Sequence, residues 1–159
     1  MSAKLEGDRN NARAVSKLKN TERLIKKGLR AAMFKCGKTL IATTSKEILR
    51  KPKSGRTYNV YRSGRKRRHV ASAPYETHAN LTGAARKSLS YQLRGQSEIL
   101  FGYGVSGKNA PDYVKYLEQI TPEGKTRRMK PRPSIQNGVN ASEKDMYQHF
   151  DDEVEKLLS

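Results

Sequence analysis

The feature that most constrains the fold is the spacing of apolar residues between Arg9 and Arg50. They recur at steps of three, four or seven, which keeps them on one face of a helix. The apolar positions are Leu18, Ile25, Leu29, Ala32, Cys36 and Leu40. The other face carries Lys and Arg, so the sequence predicts one long helix with a core stripe and a basic surface. Pro52 ends it, because proline cannot continue a helix.

Gly28 and Gly37 lie inside this helical pattern. A glycine costs about 1 kcal/mol relative to alanine within a helix. We therefore expect close packing or a bend at both positions.

The middle of the chain has the composition of short strands. Residues Arg50 to Arg68 include nine Lys or Arg and no acid, and the turn signals Ser54-Gly55 and Ser63-Gly64 flank the β-type run 57–61. This predicts a strand or hairpin with a basic, mobile loop at about residues 50–69. Residues 88–94 and 97–103 predict a second hairpin around Gly95-Gln96.

The last element is predicted to be a helix over about residues 142–158. Ser142 with Asp145 three residues later forms a capping box, and one helical face follows it. The apolar face of this helix consists of Met146, Phe150, Val154 and Leu157.

A shorter apolar face lies earlier in the chain and is followed by a predicted loop over 121–133. It consists of Tyr113, Tyr116, Leu117 and Ile120.

The order helix, strands, helix predicts an α+β fold in one domain over residues 1–159. The long amino-terminal helix and the carboxyl-terminal helix would pack on a mainly antiparallel sheet of about four strands. Only 35% of the residues are apolar, so burial must be concentrated in a few amphipathic elements and a subunit interface.

Charge is unevenly distributed along the chain. Lys and Arg number 33 against 15 acids, a net charge of +18. From Glu143 onward there are six acids and two bases, a net of −4, so the preceding part carries +22. Such a body needs an anionic partner: nucleic acid, an acidic protein face, or the acidic tail of a neighbouring copy.

Cellular context can be inferred from two further features. Cys36 is the only cysteine, which excludes an intrachain disulfide and fits a reducing compartment. No stretch is long and apolar enough for a membrane span or secretion signal. We expect a soluble protein made in the cytoplasm, with no membrane partner.

Motifs for enzymatic chemistry are weak. The G-x-G-x-x-G consensus of dinucleotide-binding sites is matched by Gly102-Tyr103-Gly104-Val105-Ser106-Gly107, with Glu123 beyond it. Such a site also requires a helix at the third glycine and a further βαβ repeat, and Pro111 and the remaining length leave no room for either. We interpret the string as a glycine-rich turn. Gly37-Lys38-Thr39 lies inside a helix and lacks a phosphate-binding loop.

Side chains for metal binding or acid–base chemistry are also sparse. His69, His78 and His149 share no metal-type spacing with one another or with Cys36. Asp152 and Glu155 are the only candidates for catalysis, and they lie in an acidic helix that is more typical of a solvated face. We expect no catalytic site, no cofactor, no metal and no enzymatic activity.

The strongest local charge signal is the basic segment from Arg62 to Arg68. The candidate binding residues are Arg56, Arg62, Arg65, Lys66, Arg67 and Arg68. Tyr58 and Tyr61 precede the cluster, and cations beside aromatic rings suit phosphate contact and base stacking. Equally, the segment could order on an acidic partner subunit. The sequence does not decide between nucleic-acid binding and binding to an acidic partner subunit.

A set of short motifs in the central region resembles a known family. The motifs are Lys53-Ser54-Gly55-Arg56-Thr57-Tyr58, Gly64-Arg65, His69-Val70-Ala71-Ser72-Ala73-Pro74, Leu81-Thr82-Gly83 and Ser88-Leu89. They resemble the neck and tail-completion proteins of long-tailed bacteriophages, which include head–tail joining and minor tail protein Z-like proteins. The resemblance covers residues 20–158, and its specific part is 54–88. Arg132-Pro133 before a closing helix also fits.

Two segments depart from the family pattern. Tyr75-Glu76-Thr77-His78-Ala79 follows Pro74 where the family continues with Gly-Glu and a Pro-Ala pair, and Tyr116-Leu117-Glu118-Gln119 replaces a Glu-Phe-Gly-Thr-like turn. At these two segments we expect local turns, and contacts made by them, that differ from those of the family.

The resemblance implies a structural virion protein of the head–tail joint, acting in tail completion or as a tail terminator. It would form a closed, usually hexameric ring between the head connector and the tail tube, around the DNA passage. Viral tail assembly would take place in the host cytoplasm, with head-closure and tail-terminator proteins as partners and contact with packaged DNA at the centre. The alternative is a stand-alone basic nucleic-acid-binding protein.

Overall fold

A computed structural model describes residues 2–80, 82–118 and 132–158 of the chain. Its elements follow the order helix, hairpin, short helix, hairpin, short helix, helix. They are α1 (Ser2–Arg50), β1 (Thr57–Arg62), β2 (Arg65–Val70), α2 (Ala84–Ser88), β3 (Leu89–Arg94), β4 (Glu98–Tyr103), α3 (Tyr113–Leu117) and α4 (Ser134–Leu158). The predicted α+β class is confirmed.

The strands number four, as expected, but they form two antiparallel two-stranded sheets, β1 with β2 and β3 with β4. Helix α1 packs on the β3–β4 hairpin and on α4, and the β1–β2 hairpin is a separate sheet. Each hairpin contains strands that are neighbours in sequence, so neither needs a long connection.

The long helix α1 and the closing helix α4 form the centre of the molecule and run antiparallel. Lys35 of α1 binds Glu153 near the end of α4 at 2.5 Å, whereas Thr44 lies against Gly138 near its start. The buried side chains between them include Ala32, Met33, Cys36, Leu40 and Ile48. The predicted apolar stripe of α1 is buried only in its second half, at Ala32, Cys36 and Leu40, whereas Leu18 and Ile25 are exposed. Helix α1 ends at Arg50, before Pro52.

The two glycines of α1 lie where other elements approach most closely. A Cβ on Gly37 would lie 2.6 Å from Cγ of the Tyr91 ring of β3, and one on Gly28 would lie 3.2 Å from the Leu157 side chain. The expectation of close packing at these positions is confirmed.

The β3–β4 hairpin packs against α1 as predicted. Leu89 is almost fully buried, and Tyr91 meets Phe34 of α1 edge to face at a centroid distance of 6.1 Å. Gly95 takes a positive φ of 58° in the connecting turn. Residues Gly104 to Gly107 after β4 form a turn, as expected for the glycine-rich string, and the next helix begins only at Tyr113.

The strand or hairpin predicted in the basic segment is a hairpin, and residues 65–70, expected to belong to a mobile loop, are strand β2, paired along its whole length with β1. Residues 51–56 before β1 have no helix or strand. Ser63 and Gly64 both have positive φ, 51° and 73°, which gives a two-residue turn whose twist suits a hairpin. The pairing, and not the residue preferences of Arg-Lys-Arg-Arg, makes this segment a strand.

The predicted start of the last helix is wrong, because α4 begins at Ser134 and not at Ser142. Ser142 is fully buried inside the helix, and its hydroxyl donates to the Gly138 carbonyl. The capping-box reading failed because the first turn is capped by Glu118, a residue distant in sequence: its carboxylate accepts from the backbone N–H groups of Ser134 and Ile135 at 2.8 and 3.1 Å.

Some sequence features fall outside the described residues: Leu81, Ile120, Glu123 and nearly all of the expected loop over 121–133. Within the described part, no helix combines the length and the apolar character that crossing a membrane requires.

Candidate functional site

The β1–β2 hairpin distributes the sequence-predicted basic residues over both of its faces. Pairs that face each other across the strands share a face, and successive pairs alternate. Tyr58 with His69 and Val60 with Arg67 therefore share one face. Asn59 with Arg68 and Tyr61 with Lys66 share the other, and Arg62 pairs with Arg65 beside the turn.

The cations of this hairpin are exposed. Arg56, Arg65, Lys66, Arg67 and Arg68 are all in contact with solvent. None of them forms an ion pair with a carboxylate of the described residues. A ribbon with free guanidinium and ammonium groups on both faces can bind phosphates or carboxylates on either side.

Two tyrosines accompany these charges. Tyr61 is 77% exposed and stands beside Lys66 on one face. Tyr58 on the other face meets His69 edge to face at 5.2 Å. An exposed ring between cations is suited to stacking with an unpaired base.

Glu76 holds together the two chain segments at the base of the β1–β2 hairpin. Its carboxylate accepts from the backbone N–H of Ala73 at 2.8 Å and of Ser54 at 3.2 Å, and from the Ser54 hydroxyl. These hydrogen bonds, that from the Ser54 hydroxyl first, lower the pKa of Glu76. Gly55 N–H donates to the Ala71 carbonyl at 2.9 Å. The hairpin is therefore tied at its root while its strands remain open to solvent.

A second basic surface is a groove of about 860 Å³ between α1 and the β3–β4 hairpin. Lys27, Arg30 and Lys108 line it together with the Phe34 and Tyr91 rings. Lys38 lies 4.4 Å above the centroid of Phe34, a cation–π arrangement. The helical pattern identified Lys27, Arg30 and Lys38 as basic face residues, but their meeting with Lys108 and Tyr91 depends on the fold.

The first half of α1 projects from the rest of the molecule. We call residues 11–27 the arm; every one of them is exposed. The apolar residues Val15, Leu18 and Ile25 are between about half and 70% exposed. They continue the core stripe of α1 beyond the end of α4.

The helix α4 has an outward face that mixes apolar and acidic residues. Tyr147, Val154 and Leu158 are 65, 53 and 82% exposed, and the exposed carboxylates Glu143, Asp151 and Glu155 lie among them. Beside this face is an apolar groove of about 330 Å³. Its lining includes Cys36, Ile99, Met146, Phe150, Tyr147 and Glu143.

A buried polar cluster was not foreseen from the sequence. Nδ1 of His78 lies 2.6 Å from the Ser134 hydroxyl, and the Tyr103 hydroxyl donates to Glu118 at 3.1 Å. Burial, reinforced by the charge of Lys53, lowers the pKa of His78 to about 4. Burial also raises the pKa of Tyr103 and of Glu118.

This cluster has a structural explanation. A serine beside a histidine is the arrangement of an activated nucleophile, but Ser134 is fully buried and His78 is 4% exposed. The four side chains instead join α4 to β4 and α3 and satisfy one another's hydrogen bonds. No local sequence pattern connects these four side chains, because His78 and Ser134 lie 56 residues apart.

The sequence candidates for catalysis do not converge. Asp152 accepts from Gln148 one turn earlier at 2.8 Å, and Glu155 is exposed on the same helix. The three histidines contact different residues: Nε2 of His149 lies 2.8 Å from the Thr39 hydroxyl, whereas His69 meets Tyr58 and His78 meets Ser134. Across the described ranges, no group of three or more His, Cys, Asp or Glu is placed to hold a metal ion.

Comparison with protein families, with curated proteins and with solved structures finds no match for this chain.

Many of the large apolar side chains among the described residues are exposed, while others, such as Phe101 and Phe150, are half-buried. Fourteen are exposed. The buried core consists of eight residues, and three of those are Ala32, Ala85 and Cys36. Such a surface is typical of a subunit whose apolar patches are covered by partners.

Proposed function

We propose that this protein is a structural subunit of the head–tail joint of a long-tailed bacteriophage, acting in tail completion or tail termination. The observation that carries the proposal is the set of exposed large apolar side chains on the arm and on α4. Neighbouring subunits would bury these side chains, which the core of a single copy leaves exposed. The family resemblance of residues 54–88 supplies the phage context.

In this role the protein forms a ring of identical subunits around the DNA passage, between the head connector and the tail tube. Its mechanism is assembly, and no catalytic step is required. The basic hairpin and the groove at Lys27, Arg30 and Lys108 favour anionic neighbours, whether packaged DNA or acidic faces of head-closure and tail proteins. The subunits assemble in the host cytoplasm and remain in the virion.

Particle size and shape test this proposal. The purified protein is measured by light scattering and negative-stain microscopy over a range of concentrations, alone and with the head-connector and tail-tube proteins of the same phage. Discrete rings in either condition support the joint function. A monomer that binds none of these virion proteins contradicts it.

A second candidate function, a stand-alone nucleic-acid-binding protein, is favoured by the β1–β2 hairpin. This hairpin and the residue before it carry five cations and two tyrosines, and none of these cations forms an ion pair with a carboxylate of the described residues. The residues are Arg56, Arg65, Lys66, Arg67 and Arg68 with Tyr58 and Tyr61. Binding to DNA or RNA would weaken with salt in proportion to the number of phosphates contacted.

Variants of the hairpin test this second function. The triple change R65S, K66S and R67S should lower the magnitude of the slope of log affinity against log salt by about 2–3, since each lost phosphate contact contributes about 0.7–0.9. Y61A should weaken binding to single strands more than to duplexes. The triple change K17S, K19S and R23S on the arm is the matched control for lost charge. Equal effects from both triple variants would show that the hairpin is not the binding site.

A further inference from the structure

We infer that the arm of one copy lies along the outward face of α4 of the next copy, with Leu18 and Ile25 against Tyr147 and Val154. This inference rests on the proposed assembly function and names the contact that builds the ring.

The two surfaces have matching apolar stripes. Leu18 and Ile25 are seven residues apart, as are Tyr147 and Val154, and that spacing returns to nearly the same helix face after two turns. From Val15 to Ile25 the arm stripe is about 15 Å long, and from Tyr147 to Leu158 the α4 stripe is about 17 Å long, at about 1.5 Å per residue. Each stripe can therefore cover the other along its full length.

Their charges are complementary. Residues 11–27 contain six Lys or Arg and one acid, a net of +5. Residues 143–158 contain six acids and two bases, a net of −4. Glu153 is already paired with Lys35 and Lys156, whereas Glu143, Asp151 and Glu155 border the exposed stripe. Opposite charges beside an apolar seam set partner choice and orientation in helix pairs.

The arm cannot make this contact with its own α4. Leu157, in the last turn of α4, already lies against Gly28, so the arm begins where α4 ends and points away from it. The α4 stripe must be covered by a different copy. Because the arm and α4 are different surfaces, each copy can offer its arm to one neighbour and its α4 to another, and this head-to-tail arrangement closes a ring or extends a filament.

A groove beside the α4 stripe offers a seat for the arm's apolar side chains. Ile99, Met146 and Phe150 line it, with Tyr147 and Glu143 also contributing. A leucine or isoleucine from the arm would enter an apolar lining while the arm's cations remain near Glu143.

Cross-linking between copies of different size tests the contact. One copy carries L18C and the other, enlarged by a tag, carries V154C; a short bis-maleimide is added to their mixture. Cys36 is 1% exposed, and unmodified protein controls for its reaction. A mixture of L18C with Y61C is the matched control, since Tyr61 is also highly exposed but lies on the hairpin. We expect mixed dimers from L18C with V154C and few from the control.

Charge exchange provides a second readout. K17E with R23E, or D151K with E155K, should each weaken self-association about tenfold or more, and mixing the two variants should restore it. Leu18 cross-linking only to Leu18, or assembly without the Leu18–Val154 product, overturns the inference and leaves the proposed joint function standing. A protein that stays monomeric and binds no virion partner overturns both.

Discussion

Gly138 lies where α4 crosses α1, and the side chain of Thr44 occupies the space beside it. A Cβ on Gly138 would lie 2.7 Å from Cβ and 3.0 Å from Cα of Thr44. Backbone atoms of α1 cannot rotate away as a side-chain end can. The residue at this crossing therefore sets the distance between the two main helices.

We predict that G138A destabilises the protein although alanine favours helix. The intrinsic gain is about 1 kcal/mol, whereas forcing the helices apart costs about 1–3 kcal/mol or more. G28A is the matched control, because its Cβ would meet only the flexible Leu157 side chain at 3.2 Å. Urea unfolding followed by circular dichroism measures both. A G138A protein as stable as G28A would contradict the crossing geometry.

At the scale of elements, the start of α4 depends on Glu118. Its two carboxylate oxygens accept from the N–H groups of Ser134 and Ile135, which have no partner within the first turn of a helix. The negative charge also suits a helix amino terminus. Beside this contact, the backbone N–H of Arg132 donates to the Leu117 carbonyl at 2.6 Å, so two contacts connect the end of α3 to the start of α4.

We predict that E118A destabilises the protein by about 1–2 kcal/mol and exposes the first turn of α4. Amide hydrogen exchange should speed up at residues 134–137 before it does near residue 150. E118Q retains one acceptor oxygen and should lose less. Unchanged exchange at the first turn in E118A would show that another group caps the helix.

Most of the secondary-structure elements could be predicted from the sequence. The long helix, both hairpins and the four strands were foreseen, because apolar spacing and turn residues such as Ser63-Gly64 act locally. The first turns of α4 were missed because Gly138 and its asparagine neighbours are poor helix formers, and the contacts with Thr44 and Glu118 that stabilise them are distant in sequence. Pro133 directly before Ser134 was a usable signal.

Of the candidate site, the sequence identified the charges but not their arrangement. The cluster from Arg56 to Arg68 was found, and the fold distributes it over two faces of a ribbon. The groove joining Lys27 and Arg30 to Lys108 brings together residues about eighty apart in the chain, which no local pattern reveals. The ring and the phage context stay predictions.

For the whole molecule, pH dependence follows from the buried histidine. His78 has a pKa of about 4 in the folded protein against 6.5 when exposed. Between these values the unfolded chain binds the proton and the folded one does not. The stability contributed by neutral His78 is therefore complete above pH 6.5 and is lost as the pH falls towards 4.

We predict a loss of at most about 3 kcal/mol between pH 6.5 and 4, of which about 2 kcal/mol falls between pH 6.5 and 5. Urea midpoints at pH 7.5 and 5 measure it, and H78N, which cannot titrate, should show a flatter profile although it is less stable at pH 7.5. Glu153 does not confuse the result: hydrogen bonds from Lys156 and Lys35 lower its pKa from 4.5 to about 2, so its contribution is lost only below pH 4.5. Equal pH slopes in both proteins would contradict the assignment.

The single thiol of this chain is enclosed between its two main helices. Cys36 faces the backbone of Met146, and burial raises its pKa. Reaction of this thiol with a reagent therefore requires a local opening of the packing around it, between the helices or at the groove beside α4, and the modification rate measures how often that opening occurs. Because the apolar groove beside α4 includes Cys36, a neighbouring subunit docked there would lower the rate of Cys36 modification. That rate would therefore report subunit association in protein that carries no added label.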